Sequence, residues 1–80
     1  MHIPSIKKLV ETYNLPQLQE AEVALLEEAK LEIIIEGADE GEQLTHIMAA
    51  IWIKTEMNEK NIPFLNALRE YTQRVRNSIS

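Results

Sequence analysis

The chain has no cysteine among its 80 residues. That excludes disulfides, thiolate metal sites and a thiol nucleophile, and it suits a reducing compartment. Glycine is nearly as scarce. Gly37 and Gly41 are the only two; they flank one turn and cannot build a phosphate-cradling loop. Long apolar runs are missing as well. The longest, residues 47–53, has seven residues, against the roughly 18 or more that a bilayer crossing needs. The opening Met1-His2-Ile3-Pro4-Ser5-Ile6-Lys7-Lys8 lacks the apolar stretch of a secretory signal. The expected location is the cytoplasm, with no membrane as partner.

Positive charge is also in short supply: eight Lys and Arg stand against 13 Asp and Glu, for a net charge of −5. The imbalance is uneven. Residues 1–59 carry four lysines against twelve acids, whereas residues 60–80 carry Lys60, Arg69, Arg74 and Arg76 against Glu70 alone. An acidic body repels phosphate, so no nucleic-acid partner is expected. The basic end suits an acidic partner, or the acidic part of a sister chain.

Eighty residues make one small domain, expected to span residues 1–80. A domain of this size buries only about 60% of the surface its unfolded chain exposes. Without disulfides, self-association is the economical supplement.

What is present is mostly helical pattern. Three phrases, His2-Ile3-Pro4-Ser5-Ile6, Asn14-Leu15-Pro16-Gln17-Leu18 and Asn61-Ile62-Pro63-Phe64-Leu65, set a proline where a helix begins, because its missing N–H costs nothing there. Ser5, Asn14 and Asn61 are the expected caps. The first helix is predicted over residues 5–12 and the second from 16 to 28 or 29, with Leu18, Ala21, Leu25 and Ala29 at helical spacing. Asp39 and Glu42 form a capping box for a third helix over residues 40–58. The last helix, over residues 63–77, repeats Phe64, Leu68, Tyr71 and Val75 on one face, with a Glu70–Arg74 pair outside.

Residues 30–36 read differently. Leu31, Ile33 and Ile35 alternate with Glu32, Ile34 and Glu36, which predicts a strand. A lone strand leaves backbone groups unpaired, so pairing with its own copy is expected, antiparallel across a homodimer two-fold. The register centred on Ile33 sets Lys30 against Glu36 and avoids like-charge pairs. The fold class expected is therefore mainly α, with four helices and one short β-strand.

Catalytic chemistry finds no support, because no nucleophile–base pair stands at a recognisable spacing. Glu42 and His46 lie one turn apart and form a candidate ligand site with Arg69, but the dinuclear Glu-x-x-His pattern is absent. No metal or other cofactor is expected. Met48 and Met57 flank Trp52 on the third helix, which is apolar nearly all round and must be buried on almost every side. The interface residues expected are Ile33, Ile35, Ile47, Met48, Ile51 and Trp52.

The phrases Glu40-Gly41-Glu42-Gln43-Leu44-Thr45-His46 and Arg69-Glu70-Tyr71-Thr72-Gln73-Arg74-Val75-Arg76-Asn77, with the opening Ile6-Lys7-Lys8-Leu9-Val10-Glu11, resemble a family of short acidic helical proteins from Bacteroidetes, a domain of unknown function. The resemblance covers the whole chain and implies a role accessory to thiol redox proteins, without transferring any functional residue. The expected function is a non-enzymatic homo-oligomeric interaction or accessory module, a homodimer or higher, which also meets another protein. The alternative is a small-ligand or metal-binding protein with its site near Glu42 and His46 at a subunit interface.

Overall fold

The computed structural model describes residues 2–79, the side chain of residue 79 excepted. The described residues form four helices: α1 (Ile3–Thr12), α2 (Leu15–Leu26), α3 (Glu40–Lys60) and α4 (Phe64–Ile79). At 21 residues and about 1.5 Å per residue, α3 nearly matches the molecule's longest extent of 32 Å. The other three helices pack against it. No helix among the described residues is long and apolar enough to cross a membrane.

Local chemistry sets each boundary. Pro4 lies in the first turn of α1, and its buried face is Ser5, Ile6, Leu9 and Val10. Lys54 of α3 donates to the Val10 carbonyl at 2.7 Å, serving an acceptor that the end of α1 leaves free. Asn14 begins α2 with a reciprocal box: it accepts from the Gln17 amide, and the Gln17 side chain accepts from the Asn14 amide. The Asp39 carboxylate takes the Glu42 amide at the start of α3, without the return bond from the Glu42 side chain that the expected box would add.

Two caps differ from expectation. Ser5 lies inside α1, whose N-cap is His2; its hydroxyl is engaged elsewhere, as described below. Asn61 closes α3 in the left-handed conformation, with φ 54°, rather than opening α4. Asparagine tolerates that region better than most residues.

α2 ends in a Schellman turn. The Ala29 amide donates to the Ala24 carbonyl and the Glu28 amide to Leu25, which places Glu28 at the left-handed position, φ 56°. Glycine usually fills that place, because a Cβ is penalised there.

The core joins Ile6, Leu9 and Val10 of α1 and Leu18, Ala21 and Leu25 of α2 to Ile47, Ala49, Ala50 and Ile53 of α3, with Ala67 and Leu68 of α4. Each large aliphatic fully buried here stabilises the fold by about 2 kcal/mol. The third helix was expected to need a second chain to cover it. Its own neighbours instead bury Ile47 and Ile53 completely. The alanines at 49 and 50, also fully buried, let the surrounding helices approach.

The expected strand over residues 30–36 does not form: among the described residues there is none. Half of the inference survives. Leu31, Ile33 and Ile35 turn inward, and Glu32, Ile34 and Glu36 face solvent. The backbone, however, finds partners on side chains of α3 and of Tyr13, the C-cap of α1. Gln43 Nε2 donates to the Ile35 carbonyl at 3.0 Å, His46 Nδ1 lies 2.8 Å from the Glu36 carbonyl oxygen, and the Ile34 amide donates to the Tyr13 hydroxyl at 3.3 Å. Three side chains from within the chain do what a second strand was expected to do. The two-fold strand pairing therefore falls with the strand.

Gly37 follows at φ 155°. A Cβ built there would lie 2.9 Å from both the backbone nitrogen and the Cγ of Gln43. Glycine lets this segment pass close enough to α3 for those bonds to form.

Candidate functional site

His46 is 99% buried, and both ring nitrogens are engaged. The Glu36 carbonyl carries no proton, so Nδ1–H must donate to it. Nε2 then accepts from the His2 backbone amide at 3.2 Å. These contacts define the neutral Nδ1–H tautomer and leave no nitrogen lone pair free for a metal.

Around it runs a second chain of bonds. The Ser5 hydroxyl is 2.6 Å from His2 Nδ1 and 2.9 Å from Glu36 Oε2. A carboxylate only accepts, so Ser5 donates to Glu36 and His2 Nδ1–H donates to Ser5. Lys8 donates to the other Glu36 oxygen at 3.2 Å. The Ser5 hydroxyl and the Lys8 ammonium beside it hold the Glu36 carboxyl below the usual carboxylate range, the serine bond contributing most.

Serine, histidine and glutamate together invite comparison with a hydrolytic triad. The order is wrong for one. A nucleophilic serine gives its proton to histidine, which a carboxylate then supports. Here serine sits in the middle and gives its proton to the carboxylate, so the histidine does not activate it. The cluster works as a clasp that ties the start of α1 and residue 36 to α3.

The residues anticipated as a ligand site are not brought together in this way. His46 is inside the clasp, Glu42 is exposed in the first turn of α3, and Arg69 is exposed on α4. No hydrogen bond or ion pair among the described residues joins the three. No group of three or more described His, Asp or Glu side chains is placed to hold a metal. Sequence reasoning had singled out His46 but missed His2, Ser5 and Glu36 as its neighbours. Ser5 could have been found: a serine followed by Ile6, Leu9 and Val10 at helical spacing shares their inward face.

The anticipated interface residues divide into two groups. Ile35 and Ile47 lie in the core, and Ile33 is half-buried against it. Met48, Ile51 and Trp52 stay at least partly open, with Met48 50% exposed. Leu44, Met48, Ile51 and Thr55 follow one another at spacings of four, three and four, which puts them on one helix face.

Beside this face α4 crosses α3. The Trp52 and Tyr71 rings lie 5.6 Å apart and tilted by 51°, and the Arg74 guanidinium sits 5.9 Å above Trp52. Lys60 bridges Glu56 at 2.9 Å and Glu70 at 3.2 Å. The expected Glu70–Arg74 pair is thus replaced by two separate partnerships. The Lys60 ammonium holds Glu56 below the usual carboxylate range, and the two carboxylates raise Lys60 in turn.

Over residues 1–80 the chain matches the model of a family of unknown function, DUF6952, and it belongs to that family. No curated protein and no solved structure matches it.

Proposed function

We propose that the chain is a cytoplasmic, non-enzymatic interaction module that works as a homodimer, joined through the face of α3 that its own helices leave half-covered. The observation carrying this reading is Met48, a large apolar side chain 50% exposed midway along the central helix. Leu44, Ile51 and Trp52 beside it are only partly buried. Flexible thioethers and aromatics suit adaptable protein contacts. Charge supports a second copy as the occupant, because the acidic residues before Lys60 and the exposed Arg69 and Arg76 of α4 attract their counterparts on a sister chain. In the thiol redox setting that the resemblance implies, such a module acts by contact alone, having no thiol of its own.

Size-exclusion chromatography with light scattering tests the reading. The expected mass at micromolar concentration is twice the 9.2 kDa of one chain. Met48→Glu should weaken dimerisation by at least about tenfold, with the helical circular-dichroism signal unchanged. A wild-type mass of one chain at those concentrations would overturn it.

A further inference from the structure

A cavity of about 290 Å³ lies between α2 and the segment that follows it. Gln17, Ala21, Ala24 and Ile33 line it, while Glu20, Lys30 and Glu32 supply its charges. None of these three charged side chains has an ion pair or side-chain hydrogen bond among the described residues. The groove between α3 and α4 is larger, at about 590 Å³, but it differs in this respect. There Lys60 is held by Glu56 and Glu70, and Arg74 rests on Trp52. Its charges are answered from within, whereas those of the smaller cavity are not.

We propose that the smaller cavity binds a cationic α-amino acid of the arginine or lysine class. Its two carboxylates and one ammonium mirror such a ligand, which carries two cations and one carboxylate. The Lys30 ammonium matches the α-carboxylate; Glu20 and Glu32 match the α-ammonium and the side-chain cation. The apolar lining of Ala21, Ala24 and Ile33 matches the methylene stem. The volume lies at the lower end of the range for small-ligand sites, which suits about a dozen heavy atoms. This assignment is independent of dimerisation through α3.

The test is a titration of isotopically labelled protein with L-arginine up to about 10 mM, followed by amide chemical shifts. Saturable shifts are expected within residues 17–33, and L-glutamate should produce none. Lys30→Met should weaken arginine binding by about tenfold or more, while leaving agmatine, which lacks the carboxylate, unaffected. Glu20→Gln and Glu32→Gln should each weaken both ligands. All three side chains are exposed, and a well-dispersed spectrum confirms that each variant is folded. Absence of saturable shifts with arginine, equal affinity for agmatine and arginine, or indifference to Lys30→Met would overturn the proposal.

Discussion

The two ends of α3 hold their neighbours by different physics. Near its start, His46 and Gln43 reach irregular backbone with buried or half-buried side chains. Near its finish, Trp52 and Lys60 meet α4 through a ring contact, a cation over a ring, and the Lys60–Glu70 ion pair, whose side chains are 53% and 40% exposed. A buried bond that is lost leaves its partner unsatisfied, which costs about 1–3 kcal/mol. An exposed ion pair that is lost returns both charges to water, and little changes. The first end should therefore be brittle and the second forgiving.

The comparison breaks most visibly at His46. His46→Ala removes a side chain that is 99% buried and orphans the His2 amide and the Glu36 carbonyl, so a loss of about 3–4 kcal/mol is expected in urea unfolding. A loss below about 1 kcal/mol would show that the clasp is replaceable by water. Gly37→Ala comes next, at about 2–3 kcal/mol, because the added methyl meets the backbone of α3 itself. At the other end, Glu70→Gln breaks the exposed pair, leaves Lys60 on Glu56, and should keep the melting temperature within about 3 °C.

Acid and base titrations of stability sharpen the contrast. Glu36 titrates below its ordinary value of 4.5 because Ser5 and Lys8 favour its charged form. Its support is complete above 4.5 and declines as the pH falls through the lowered value. Ser5→Ala should flatten that acid decline. Lys60 titrates above its ordinary 10.5 because Glu56 and Glu70 favour its charge, so its support is complete below 10.5 and is lost as the pH rises through the raised value. Lys60→Met should therefore flatten the alkaline decline, which Ser5→Ala should leave as it is.

The helices were legible because their signals are local. Asn14 and Asp39 cap where their spacing indicates, and the prolines mark helix starts. Residues 30–36 were half legible. Alternation correctly told which side chains face inward, since it depends only on an extended backbone. It could not tell what the backbone would bond to, because Tyr13 lies just past the end of α1 and Gln43 and His46 lie in α3, at no period a sequence displays. The same limit explains the site. Helical spacing pairs His46 with Glu42, its neighbour one turn away, while its actual contacts, His2 and Glu36, arrive from 44 and 10 residues away.

The segment between α2 and α3 is held chiefly by its oxygens. Side chains grip the carbonyls of Ile35 and Glu36, whereas over residues 30–38 Ile34 alone among the described residues gives its amide to a protein acceptor. Hydrogen–deuterium exchange reports on amides and is blind to carbonyls. Most of this segment should therefore take up deuterium within the dead time of a manual experiment while its side chains keep fixed positions. An exchange map would draw it as a loose loop, and a spectroscopic probe on the Ile35 side chain would find it as rigid as the core.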